Sequence, residues 1–362
     1  MRMDELFSIN IKAPDEDIIT QSKERWDAIA KPIDGLGRLE DIVSRIAAIQ
    51  GKIYPDISKK ALIIMCSDNG VTEEGVSQSP RSVTYDVAKL MGEGKSSVSS
   101  MISDYHIDAF VYDVGIDHDG TPFGVIDAKV RRSTENFIKK PAMTEDECLA
   151  AMEIGIDAVR RCHKEGFGIV ATGEMGVGNT TTATALLCAL KGLEPRDVTG
   201  RGSGLSGAGL EKKIHVIEEG LKIHRGKRSS EEITTKEEAL QALCCLGGFD
   251  IAALVGVFIG GALCGLPVVI DGLITGVAAL MAEKIVPGTG RYMIASHFGK
   301  EKGMEYVLNE LALDPVIHGD LALGEGTGAV LLFPMLDMAA SLYRNGTAFN
   351  ETKIDRYKRY EE

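Results

Sequence analysis

Two glutamates in this chain are enclosed by glycines, and their surroundings point to chemistry. The first lies in Gly168-Ile-Val-Ala-Thr-Gly-Glu174-Met-Gly176-Val-Gly178-Asn179-Thr180-Thr181-Thr182. An apolar run enters a glycine-rich turn, and a helix is predicted from about Asn179. Glycines let the backbone approach a ligand closely. The first helical turn adds free N–H groups at the positive end of the helix dipole. Such an arrangement suits a phosphate. It is not a Walker loop, because no Lys precedes the Ser or Thr, and its GxxGxG order is not the dinucleotide fingerprint. A bare glycine turn would read as a tight strand–helix connection. Here the embedded Glu174 and the Asn-Thr-Thr-Thr start tilt the reading towards a phosphate site.

The second glutamate stands in Leu323-Gly324-Glu325-Gly326-Thr327-Gly328-Ala329, ahead of an apolar helix through Val330 to Met338. It has two readings: a charge that stabilises a helix N-terminus, or a desolvated general base with a raised pKa. A third run extends from Thr199-Gly200-Arg201-Gly202 to Gly207, followed by Glu211-Lys212-Lys213. It reads equally as a loop closing over a phosphate or as a flexible surface loop beside a solvated helix face. Ser67-Asp68-Asn69-Gly70 and Asp271-Gly272 are weaker signals, since Asp at a strand end is often a turn former. Of the seven histidines, only His297 falls near these loops, and none has metal-ligand spacing. A lone His there is more often structural.

These loops need a scaffold. Ala61–Cys66, Ala109–Tyr112, Gly168–Ala171, Pro267–Ile270 and Tyr292–Ala295 are short apolar runs, each ending in a polar or glycine-rich loop. Such runs, separated by helical patterns, read as central strands of a parallel sheet. Thr144 with Glu147 forms a capping box ahead of a helix. The fold class is therefore α/β, a doubly wound, Rossmann-like parallel sheet with helices on both faces. Its ligands would bind outside the carboxyl ends of the strands. Ile251 to Ile270 carries no charge but is broken by Gly265-Leu266-Pro267, so it reads as a buried helix and strand rather than a membrane span. Residues 1 to about 55 look helical, with Trp26 and Ile29 on one stripe. So do those from about 300 onward, with Met304, Val307 and Leu308 at helical spacing. Should these two ends meet in space, they would form a small helical domain from 1–60 and 300–362 beside a large α/β domain of 61–299. The charged Thr352 to Glu362 stretch is expected to be solvated.

Bulk properties narrow the function. The chain has 362 residues, 44% hydrophobic and 26% charged, enough for a sizeable core. A net charge of -13 argues against a basic face for nucleic acid. An anionic ligand would have to be held by backbone amides and a few local Lys or Arg residues. The seven cysteines include no CxxC pair and are read as buried free thiols. Met1 to Thr20 lacks the apolar stretch of a signal peptide, which suggests a cytoplasmic protein.

Taken together, the motifs resemble one family, the nicotinate-nucleotide–dimethylbenzimidazole phosphoribosyltransferases. Matching segments run from Lys31-Pro-Ile-Asp-Gly-Leu-Gly-Arg-Leu-Glu40 through Ser67–Val71, Glu74–Ser77, Asn136-Phe137 and Pro141–Thr144 to the Glu174 loop. They continue through Gly200–Leu205, Gly247–Ile251, Pro267–Gly272, Ala295–His297 and the Glu325 loop, covering about residues 25 to 345. The resemblance implies a homodimer that moves the ribose phosphate of nicotinate mononucleotide onto a benzimidazole-type base, for the lower ligand of cobamides, with no cofactor and no metal. It makes Glu325 the catalytic base and Glu174 a second active-site glutamate. Gly176, Gly178, Asn179, Thr180, Gly202, Lys213 and Ser296 would hold the donor and its phosphate. Ser77, Ser79, Arg81 and Met175 would line the acceptor pocket.

This sequence departs from the family pattern in three places. It has Asp34-Gly35-Leu36-Gly37 where Gly-Ser-Leu-Gly is common, Ser206-Gly207-Ala208 where an acidic pair is frequent, and Arg81 after Pro80 where Gln often stands. The last leaves the acceptor open between dimethylbenzimidazole, another benzimidazole, a purine and a phenolic compound. Two rival readings are a nucleotide-dependent oxidoreductase, which would want GxGxxG, and a non-catalytic nucleotide-binding module on the same fold.

Overall fold

The computed structural model describes residues 1–359. Its centre is a six-stranded parallel sheet of β1 (Lys60–Ser67), β2 (Ile107–Gly115), β3 (Ile126–Asp127), β4 (Ile169–Met175), β5 (Val268–Ile270) and β6 (Met293–Ala295), in the order β3-β2-β1-β4-β5-β6. The five apolar runs supply every strand except β3, whose two residues are too short for an apolar run. A separate parallel pair, β7 (His297–Phe298) and β8 (Ile317–His318), was equally illegible.

Alternation along β1 explains why these strands are apolar throughout. Leu62, Ile64 and Cys66 pack with the helices Arg38–Gln50, Ser82–Gly92, Ser97–Ile102 and Thr327–Asn345. Ala61, Ile63 and Met65 face the opposite layer of Glu145–Lys164, Asn179–Lys191, Phe249–Cys264 and Leu273–Ile285. Both faces are covered, as a parallel sheet requires.

Local signals set the helix ends. Thr144 Oγ1 accepts from Glu147 N over 3.2 Å, and the Glu147 carboxylate accepts from Thr144 N over 2.8 Å. The uncharged stretch forms the buried helix Phe249–Cys264, ended by the left-handed Gly265, and then β5. It lies directly against Glu145–Lys164: a Cβ on Gly155 would come 1.9 Å from Ala253 O, and one on Gly256 1.9 Å from Met152 O. Among the described residues, no helix is long and apolar enough to cross a membrane. All seven cysteines are free thiols, and Cys66, Cys148, Cys162 and Cys188 are buried.

The two ends of the chain meet. Trp26, Ile29, Val43, Ala339 and Tyr343 form a separate buried cluster, with the Trp26 and Tyr343 rings 4.8 Å apart. Helix Glu16–Ala28 stops one residue before Ile29, which is extended and bridges to Ala348. Met304–Glu310 belongs elsewhere: Met304, Val307 and Leu308 pack into the larger core. As far as it is described, the charged tail is solvated as expected. It is exposed, but Arg359 forms ion pairs with both Asp27 and Asp34. The final part of that expectation, 360–362, lies outside the described residues.

Candidate active site

A cavity of about 270 Å³ opens at the carboxyl ends of the strands. β4 delivers Glu174 and Met175 to it. The chain then turns through Gly176 and Gly178, with Gly178 at φ 95°, into helix Asn179–Lys191. No side chain caps that helix; Asn179 N donates to Gly176 O over 3.1 Å and Thr181 N to Gly178 O over 2.9 Å, which leaves the N–H of the cavity-lining Thr180 as the amide of this turn available to a ligand. The glycines answer first to their protein neighbours. A Cβ on Gly176 would meet Ser67 O at 2.4 Å, and one on Gly178 would meet Thr72 Cγ2 at 2.6 Å.

Lys213 comes from helix Gly207–Arg225. Its Nζ donates to Thr180 Oγ1 over 2.8 Å and to Gly200 O over 3.2 Å, immediately behind Gly202. Burial pulls this amine down to about 8, with Glu301 opposing the shift. A buried cation at an uncapped helix N-terminus is an electrostatic seat for a phosphate.

The acid side of the cavity is unusual. Burial, reinforced by Asp250, pushes Glu174 up to about 8, although Asn179 donates to its carboxyl. Asp271 is pushed up to about 7 by burial while its carboxylate accepts from Ala329 N over 3.0 Å. It thereby caps helix Thr327–Asn345. His297 lines the cavity, and its Nδ1 lies 2.9 Å from Ser296 Oγ. Gly328 is obligatory there, since a Cβ would lie 2.1 Å from the His297 ring.

Nine of the expected site residues line this one cavity: Glu174, Met175, Gly176, Gly178, Asn179 and Thr180 from the first loop, with Ser77, Ser79 and Gly202. Four do not. Lys213 stands just behind the wall. Ser296 is buried and donates to Ile270 O over 2.6 Å, because its strand neighbour offers the nearest acceptor. Arg81 is drawn away to Thr72 Oγ1 at 2.5 Å and Gly70 O at 3.0 Å. The carboxylate of Glu325 accepts from Val98 N over 3.0 Å, at the start of helix Ser97–Ile102. Glu325 is nonetheless close to the site through its backbone. It is left-handed at φ 60°, between Gly324 at φ 89° and Gly326 at φ 83°. A Cβ on Gly324 would lie 3.0 Å from Glu174 Oε1. A left-handed glutamate is a strained choice where glycine is easier, and such strain clusters at functional sites.

Sequence reasoning missed Glu301, Leu321 and Ala322 in the lining, as well as Asp250 behind it. Glu301, Leu321 and Ala322 lie in irregular segments without periodicity. Asp250 belonged to a matched segment, but nothing in its spacing linked it to Glu174. Among the described residues, no group of three or more His, Cys, Asp or Glu is arranged to hold a metal ion.

A family model described as "Phosphoribosyltransferase" matches residues 11–354. A nicotinate-nucleotide–dimethylbenzimidazole phosphoribosyltransferase of Clostridium acetobutylicum is 39% identical, over 96% of this chain and 97% of its own. One from Clostridium perfringens is 41% identical, over 95% and 93%. The crystal structure of CobT from Thermus thermophilus superposes with a TM-score of 0.86 at 35% identity, covering 94% of this chain and all of that one.

Proposed function

This chain belongs to the nicotinate-nucleotide–dimethylbenzimidazole phosphoribosyltransferase family, and from that premise we propose how its cavity works. The enzyme transfers the ribose phosphate of nicotinate mononucleotide to 5,6-dimethylbenzimidazole or a related base. The products are nicotinate and an α-ribazole 5′-phosphate, for the lower ligand of cobamides. The observation that carries the reading is one cavity with a buried glutamate in its lining and a buried lysine just behind its wall, bonded to Thr180 at a helix N-terminus without a side-chain cap.

The donor phosphate rests on the backbone at Gly176–Thr180 with Gly202 and Lys213, while Ser296 serves the donor indirectly, by steadying the cavity-lining His297. The acceptor lies towards Ser77, Ser79 and Met175. Arg81 serves that pocket indirectly, by bracing the 70–72 turn. A neutral ring nitrogen of the acceptor attacks C1′. The bond from C1′ to nicotinate breaks, and its electron pair neutralises the pyridinium. The acceptor's other ring nitrogen then gives up its proton to a carboxylate. Attack opposite the leaving group converts a β-linkage into an α-linkage. A carboxyl poised near neutral pH suits this proton transfer. Glu174 faces the cavity. Glu325 serves as the base once its side chain leaves the Val98 N–H and turns towards Glu174.

The division into a small helical unit, 1–60 with 300–362, and a large unit, 61–299, is part of the same proposal, except that Met304–Glu310 packs with the larger core. The Trp26–Tyr343 cluster supports it. So is a cytoplasmic homodimer; the exposed Leu331 and Met338 on helix Thr327–Asn345 suit a contact between copies.

An acceptor panel tests the function. Purified protein is mixed with nicotinate mononucleotide and, in turn, dimethylbenzimidazole, benzimidazole, adenine and phenol, with mass spectrometry following nicotinate and the new riboside phosphate. A product with any acceptor supports transfer. Stabilisation by the donor with no product from any acceptor supports a binding module instead.

A further inference from the structure

We propose that Asp250, which lies outside the cavity lining, is a positioning residue for the transfer: through the Asn179 amide it holds the Glu174 carboxyl on the cavity. The proposal rests on reading this cavity as the ribosyl-transfer site.

The geometry is a buried bridge. Asn179 Nδ2 donates to Glu174 Oε2 and, over 3.0 Å, to Asp250 Oδ2. Both amide hydrogens are thus committed to carboxyl groups. Turning the amide over would set its oxygen against two acceptors, so the pair of acids fixes its orientation. Asp250 is itself fixed in the first turn of helix Phe249–Cys264. Two glycines pack against it: a Cβ on Gly248 would come 2.4 Å from Oδ1, and one on Gly176 would come 2.7 Å from Oδ2.

The arrangement is costly as mere structure. Asp250 is fully buried, and its Oδ1 has no hydrogen-bond partner. Leaving a buried acceptor unsatisfied costs about 1–3 kcal/mol. A carboxyl used only to start a helix could be exposed at no such cost.

The charged groups facing Glu174 are Asp250, Asp271 and Glu301, and Asp250 in turn faces Asp68. Lys213 acts on Glu301. Of the acids, Asp250 has the largest influence on Glu174. Two carboxyl groups on one amide resist joint ionisation and titrate as a coupled pair. Asp250 therefore has a second lever on Glu174, through charge as well as orientation.

The test is kinetics of Asp250→Asn and Asp250→Glu across the neutral range, with nicotinate mononucleotide and the acceptor accepted by the wild type. Asp250→Asn is expected to keep its thermal shift with the donor while kcat falls about tenfold or more. Its acid limb should move to lower pH by about one unit, because a negative neighbour is gone. Asp250→Glu should restore the limb. A wild-type kcat in Asp250→Asn, or a fall with the limb unmoved, overturns the proposal. If Asp250→Asn does not fold, infrared titration of the wild type and Glu174→Gln decides. The carboxylic-acid band should titrate in coupled steps, and Glu174→Gln should lower the pH of the step that remains. An unaltered remaining step overturns the proposal. A wild type that releases no nicotinate with any acceptor sinks the transfer reading and this proposal with it; the other outcomes, on an active wild type, bear on Asp250 alone.

Discussion

The backbone N–H of Val98 donates to the Glu325 carboxylate over 3.0 Å, so the side chain of this glycine-flanked glutamate serves the start of another helix, Ser97–Ile102. Its two possible roles, helix stabiliser and base, are thus both open to one side chain. Glu325→Gln keeps an acceptor for Val98. It should change stability by less than about 1 kcal/mol and leave donor binding intact. If Glu325 is the base, kcat falls about 100-fold or more. Turnover like the wild type's would refute the assignment.

Lys213 gives a pH-dependent prediction. Its folded value of about 8 lies below the ordinary 10.5, so the folded chain holds fewer protons than the unfolded chain between those values. Stability therefore carries a penalty at neutral pH, on the order of 3 kcal/mol, which is relieved as pH rises from about 8. Lys213→Met should raise the melting temperature of the ligand-free protein at neutral pH. It should also weaken nicotinate mononucleotide about 100-fold by removing a charged donor from the phosphate. In the wild type, calorimetric titration should find donor affinity falling above about pH 8, where the amine loses its charge. Unchanged affinity in the variant would place the phosphate elsewhere.

Glu174 has the opposite sign. Its folded value, about 8, lies above the ordinary 4.5, so its contribution to stability is full below 4.5 and is lost as pH rises through about 8. Asp250 and Asp271, both raised to about 7, add to the same decline. Glu174→Gln should flatten the fall in melting temperature between acid and alkaline pH, most visibly above neutrality. Parallel curves for variant and wild type would show that this carboxyl is not held protonated.

Gly155 tests the scaffold. A Cβ there would lie 1.9 Å from Ala253 O, on a helix backbone that cannot yield as a flexible side chain would. Gly155→Ala should lower stability to urea by about 1–3 kcal/mol or more, despite alanine's better helix propensity. A stabilised variant would mean that the two helices are further apart.

The sequence alone determined the layers and the crest. Apolar runs such as Ala61–Cys66 and Gly168–Ala171 can bury both faces only inside a covered parallel sheet. The glycine loops had to follow their carboxyl ends because they follow them in the chain. Turn and cap chemistry, as at Thr144 and Gly178, acts over a few residues and is therefore legible. Tertiary structure decided where the long side chains point. Arg81 found Gly70 O and Thr72 Oγ1, and Glu325 found Val98, a residue 227 positions away. It also decided the proton affinities. Asp250 is 71 positions from the Asn179 amide it shares with Glu174, and no local pattern encodes that meeting. A carboxyl's field depends on which distant groups are packed around it and on how much water they exclude.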